Sequence, residues 1–363
     1  MAGCTADVEF AKFSQEERLA EQRELFEDAF PENKGLSPAS VEAYRWKFHG
    51  FPAEPPSYEY MASENGEMLG YYAAIPYAYR IAGRQRRVGM ACDVMTHSRA
   101  RGKGVFTKLG EYSLAQMKAA GVDFMTGYPI RPEVMGGHMR VGWKVAFELP
   151  MYLRPLRTNA ILASRRLGWL APAANIGAGV YQAALAARPK GGPYRTRTGS
   201  PSELLADPGF GAFVDRWSES VPNHLLKTPE FYAWRLGAPD TSYQAFVVHR
   251  DGQLVASAIA REDELHEIPS FALLDLMVAP GEQAALPALY ASIDREARRR
   301  GAEALVTMMS RHSAKRYRLA RYGFLKSPFT FKLIVRSLKD ELPIDRLTNE
   351  ADWHLMWIDS DDL

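Results

Sequence analysis

The chain repeats itself, and that repeat limits its fold more than any other feature. SVEAYRWKF (Ser40 to Phe48) and TPEFYAWRL (Thr228 to Leu236) share one pattern about 188 residues apart, and the sequence after each continues to correspond. In the first copy Tyr58 opens an alternating strand, SENGEML supplies a turn and LGYYAAI a second strand. In the second copy Tyr243, QAFVVH, RDGQL and VASAIA take the same parts. Each reads as strand, tight turn, strand. ACDVMTHS then matches LLDLMVAP, with Asp93 opposite Asp275, and helical runs end at KAAGVDFMTG and RRRGAEALVT. Each copy closes on a helix leading to glycine and an aromatic residue, HMRVGW and LARYGF. The order predicts two α/β units, each a mixed, mostly antiparallel sheet flanked by helices. The Gly, Pro and Arg-rich stretch RPKGGPYRTRTGS sets the expected boundaries: residues 1–157, an interdomain segment 158–200, and 201–363.

With 363 residues and 47% hydrophobic composition, the chain has enough apolar material for two cores. Its 45 basic and 43 acidic residues nearly cancel, leaving a formal charge of +2, so no global field recommends a nucleic acid partner. Any anion recognition must be local. Cys4 and Cys92 lie far apart and suggest neither a disulfide framework nor a metal cluster, which points to a reducing compartment and the cytoplasm. The N-terminal stretch lacks the features of a signal peptide and reads as a charged helix. Leu167 to Ala187 runs 21 residues without a charge, long enough to span a bilayer. Pro172, Asn175, Gln182, three glycines and many alanines weaken that reading, so an interdomain helix pair is expected, with a lid or membrane-surface contact as the alternative.

The most informative local stretch is THSRARGKGVFTKL, Thr96 to Leu109. Val88, Met90, Cys92, Val94 and Thr96 alternate with Gly89, Ala91, Asp93, Met95 and His97, as on a buried strand. Phe106, Leu109, Leu114 and Met117 then share one helical face. A glycine loop between a strand and a helix N-terminus suits a phosphate: unpaired N–H groups and a partial positive charge face it, and Gly102 and Gly104 allow close backbone approach. The loop has neither the Lys-Ser/Thr ending of a P-loop nor the three-glycine spacing of a dinucleotide fingerprint.

Arg99-Ala-Arg-Gly102-Lys-Gly104 resembles the Arg/Gln-x-x-Gly-x-Gly/Ala loop of the GNAT acetyltransferases, and the order of elements fits that family from Met61 to Leu149. The resemblance implies that acetyl-CoA is the acyl donor, that Val94, Met95 and Thr96 pair with its pantetheine arm, and that Arg99, Arg101, Gly102, Lys103, Gly104 and Val105 surround its pyrophosphate. It implies no metal. In the second copy the loop reads APGEQAALPAL: Gly281 stands for Arg99, Ala284 for Gly102 and Leu286 for Gly104. Added Cβ atoms and Glu282 oppose an anion there, so the expectation is a tandem GNAT with a degenerate second copy.

Acetyl transfer to an amine needs a neutral nucleophile, a donor for the thioester oxygen and a proton for the departing thiolate. The family commonly supplies that proton from a Tyr four residues before the helix-ending glycine, where this chain has His138. His138 is therefore open to three readings: catalysis, substrate contact or packing. Tyr128 is a substitute donor or a core residue. Asp93 reads as a general base, a carboxylate on an apolar strand, or as a structural group, since Asp275 repeats it. His97 and Glu133 are weaker candidates. The expected activity is N-acyl transfer from acetyl-CoA to a small-molecule amine such as an amino sugar, antibiotic or metabolite. The alternatives are a non-catalytic acyl-CoA-binding or scaffold protein, and a membrane-surface acyltransferase acting on a lipid-linked sugar.

Overall fold

The computed structural model describes residues 8–159, 162, 166, 168–170, 175–176 and 193–361. Most of Leu167 to Ala187 lies outside the described residues, as does Cys4. No helix among the described residues is long and apolar enough to cross a membrane.

The chain divides into two compact units: Met1–Phe147 with Ala238–Asp240 and Lys332–Asn349, and Glu148–Gly237 with Thr241–Phe331 and Glu350–Leu363. These are not the contiguous segments that the linker suggested. Each sheet is completed by a strand from the other half of the sequence, which accounts for the displaced boundaries.

In the first unit the sheet order is β1 (Glu9–Lys12), β2 (Tyr58–Glu64), β3 (Glu67–Ile81), β4 (Arg84–Thr96), β5 (Phe124–Gly127) and then residues 334–337. All neighbours are antiparallel except β4 and β5, which are parallel. Helices α1 (Gln15–Ala29), α2 (Val41–His49), α3 (Val105–Ala119) and α4 (Pro132–Arg140) accompany it. Parallel neighbours need a crossover, and α3 provides it between β4 and β5. Its buried residues Val105, Leu109, Leu114 and Met117 join Tyr60, Leu69, Tyr72, Met125, Trp143 and Ile334 in one core.

The second unit repeats the plan. Residues 151–155 of β6 (Lys144–Pro155) lie antiparallel to β12 (Ala304–Met308), followed by β11 (Ile268–Val278), β10 (Gln253–Leu265), β9 (Tyr243–Arg250) and β7 (Tyr194–Gly199), with the short β8 (Asn223–Leu225) off this order. Again only one neighbouring pair along this path, β11 with β12, is parallel. The helix Leu286–Arg299 crosses between them and buries Leu286, Leu289 and Ile293 against Phe246, Phe271 and Leu273. The repeated motif also repeats its caps: Ser40 Oγ accepts from the Ala43 amide at 3.0 Å and Thr228 Oγ1 from the Phe231 amide at 3.2 Å.

Candidate functional site

In the first unit β4 and β5 pair from Val88↔Phe124 to Ala91↔Gly127 and no further, while β4 continues to Thr96. A bulge falls at this parting. Tyr71 pairs with Met95 but Ala73 pairs with Cys92, so β4 carries one residue more than β3. Asp93 sits in the bulge at φ +46°, a left-handed conformation that Asp tolerates better than most residues. Its Oδ1 accepts from Lys47 Nζ of α2 at 2.7 Å, with both side chains largely buried. Asp93 is therefore an ion-paired residue of the bulge, not a lone carboxylate. Val94, Met95 and Thr96 follow on the unpaired side of β4, with Met95 buried and Val94 and Thr96 half-buried.

Beyond β4 the chain makes a tight turn, Ser98–Ala100, then an exposed loop ending at Gly104, the N-cap of α3. Gly102 and Gly104 have φ +77° and +79°, and a Cβ on either would meet nothing within 4 Å. The conformation thus calls for glycine while the space beside it stays open. The amides of Gly102, Gly104, Val105, Phe106 and Thr107 have no acceptor among the described residues. That is the usual condition of a helix N-terminus and an anion-binding one.

The loop's charges are divided. Arg99 pairs with Glu67 at 2.5 Å, leaving Arg101 and Lys103 as exposed cations of the loop. Asp28 of α1 accepts from the Ser98 amide at 2.7 Å and from Ser98 Oγ at 2.9 Å. Burial alone would raise the Asp28 carboxyl, but the Ser98 bonds and the nearby His97 and Arg101 hold it below the ordinary carboxylate range. Asp28 and Lys47 escape sequence reasoning. Nothing local marks Asp28, and Lys47 is aligned by the repeat with Arg235, which makes different contacts.

His138 lies on α4, buried between two rings: the Phe106 centroid is 5.1 Å away and the Trp143 centroid 5.3 Å, both edge-on. Burial pushes its imidazole down to about 4, so the ring is neutral at pH 7. Any proton it gives must come from a neutral N–H. Tyr128 is buried directly after β5. His97, beside the loop, is half-buried, with Nδ1 3.7 Å from Asp28. Glu133 is exposed in the first turn of α4.

The second unit has the same parting with a different filling. β11 and β12 pair from Ser270↔Ala304 to Leu273↔Thr307, and a bulge again precedes Asp275. Asp275 is fully buried, ion-paired with Lys227, and accepts from the Tyr232 hydroxyl. Here the turn Gln283–Ala285 runs directly into the helix at Leu286, with Ala285 and Leu286 buried. No glycine loop intervenes. Glu282 is held by Arg250 at 2.7 Å and by the Tyr194 hydroxyl at 3.2 Å.

Residues 11–146 match the family described as Acetyltransferase (GNAT) domain. A search of curated proteins finds no match. Among solved structures the chain is similar to a GCN5-related N-acetyltransferase from Anabaena variabilis ATCC 29413 (TM-score 0.64, 11% identity, 92% of this chain and 73% of that one). It is also similar to a GCN5-related N-acetyltransferase from Kribbella flavida (0.62, 12%, 93% and 72%). A third likeness is to Saccharomyces cerevisiae N-myristoyltransferase, solved with bound myristoyl-CoA (0.59, 10%, 93% and 80%). At such identities the likeness concerns fold, and it spans both units.

Proposed function

We propose that the protein is an acyl-CoA-dependent N-acyltransferase that uses acetyl-CoA, binds it in the first unit alone, and acylates an amine of a small molecule such as an amino sugar, antibiotic or metabolite. The observation that carries the reading is the β4 parting followed by the exposed Gly102 and Gly104 loop, whose amides have no acceptor among the described residues at the start of α3.

These residues fit the donor. The amides of Gly102, Gly104, Val105, Phe106 and Thr107 suit its pyrophosphate, with Arg101 and Lys103 adding charge, and the free side of Val94 to Thr96 suits the pantetheine amides. When bound, the donor supplies an activated thioester for direct attack by the amine. Lys47 and Asp93 fix the bulge that parts the strands. An amide on this stretch of β4 is suited to polarise the thioester oxygen, and Tyr128 or neutral His138 to relay to the departing thiolate the proton that the attacking amine loses. The second unit, with Leu286 packed where the loop would be and Glu282 nearby, binds no acyl-CoA in this reading.

The experiment is thiol release from acetyl-CoA in the presence of an amine panel. Turnover with at least one amine is expected. Tight acetyl-CoA binding without turnover would favour the non-catalytic binding protein, a reading that gains from the enclosed, neutral state of His138.

A further inference from the structure

We infer that the cleft between β11 and β12 of the second unit is a peptide-binding cleft, and that its ligand is the chain's own segment Trp353–Ser360. The comparison with a cofactor arm rests on the function proposed above; the seating of the segment does not.

The register of the two units defines the place. Ala91↔Gly127 is the last β4–β5 pair and Leu273↔Thr307 the last β11–β12 pair, so Leu276, three residues on, occupies the position of Val94. In the second unit His354 Nε2 lies 3.1 Å from the Leu276 carbonyl. On the other wall Met309, directly after β12, forms an antiparallel bridge with Met356. The segment thus touches β11 and the end of β12 beyond the point where the two strands part.

It is also built in chemically. All eight residues from Trp353 to Ser360 are buried, so their polar groups need partners. Trp353 and His354 pair in parallel with Asn223 and His224. Buried Arg235 donates from Nε to the Ile358 carbonyl at 3.3 Å and from its terminal nitrogen to the Ser360 carbonyl at 3.0 Å. Asp359 Oδ2 accepts from the Met356 amide at 2.8 Å, and its Oδ1 lies 3.7 Å from Lys227 Nζ, the group that also pairs with Asp275. Burial, with Lys227 nearby, pushes the His354 imidazole well down, so it is neutral and donates Nε2–H to Leu276. The cation that serves the bulge aspartate here anchors the segment as well; in the first unit Lys47 serves Asp93 in the same way.

The test is a cross-link in the full chain. Residues facing across an antiparallel bridge have Cα atoms about 4.5–5.5 Å apart, within disulfide reach. Met309→Cys with Met356→Cys should oxidise under mild conditions. Coenzyme A titration should then show the same single site, with Kd within about twofold, before and after oxidation. Thiols that stay free would show that the segment does not occupy the cleft. A binding event seen only in the reduced protein would show that it leaves to admit a ligand. Either result overturns the proposal. If the wild-type chain binds no coenzyme A, the acyl-CoA reading fails while disulfide formation still decides the seat. Should the double variant misfold, hydrogen exchange on the wild type decides: amides 353–360 should exchange at the global unfolding rate, about 10³-fold or more slower than an open chain. Fast exchange there would contradict the inference.

Discussion

The two partings, β4 from β5 and β11 from β12, begin from the same register, with an aspartate in the bulge of one and directly after the bulge of the other, yet they end differently. In the first unit the strand leads to an exposed glycine loop whose amides lack acceptors among the described residues; in the second it leads to a buried Leu286 and to a cleft holding Trp353–Ser360. A fold can therefore keep the bulge as architecture whether or not the opening it creates is used for a ligand. Asp93 and Asp275 are better explained by the bulge they share than by chemistry that only one unit is proposed to perform.

The most severe way to break this contrast is Gly104→Glu, expected to abolish acetyl-CoA binding by calorimetry. The residue sits at φ +79° with open space around the missing Cβ, so the fold should survive with about 1–2 kcal/mol of strain while a carboxylate confronts the anion. Leu286→Glu, at the corresponding place, should destabilise the second unit and leave the binding constant of the folded protein unchanged.

Removing the two bulge cations sharpens the comparison. Lys227→Met strands Asp275 and Asp359 in a fully buried site and should cost about 3–5 kcal/mol in urea unfolding. Lys47→Met strands a carboxylate that water partly reaches and should cost less, about 1–2 kcal/mol. Equal losses would undo the claim that Lys227 has the additional anchoring task.

His138 provides a pH signature. Its folded value of about 4 lies below the unfolded 6.5, so the unfolded chain takes up the proton first. Stability present at pH 7 is lost as pH falls from about 6.5 to 4, by at most about 3 kcal/mol. His138→Phe should show a shallower loss over that window than the wild type, by denaturant titration at several pH values. The smallest effect belongs to the exposed cations: Arg101→Ala and Lys103→Ala should each weaken acetyl-CoA binding only a few-fold, and more at low salt.

Much of this was legible in the sequence because repetition makes a pattern readable twice. The paired strands, the glycine loop and the different loop at APGEQAALPAL all come from local residue types at local spacing. The exchange of strands was not legible. Residues 334–337 beside β5, and 151–155 beside β12, are set by which sheet edge a strand reaches, and neither strand's composition encodes that choice. The partners of Asp93 and Asp28 likewise depend on α2 and α1 packing over the sheet, at separations of 46 and 70 residues. The buried setting of His138 needed Phe106 and Trp143 to be placed around it, though the Gly-aromatic ending pointed to the latter.

One unit of two is proposed to receive the acyl donor. Isothermal calorimetry of the full chain with coenzyme A tests it most directly. One site per chain is predicted, disappearing in Gly104→Glu. Two sites per chain, or a site that persists unchanged in Gly104→Glu, would contradict it.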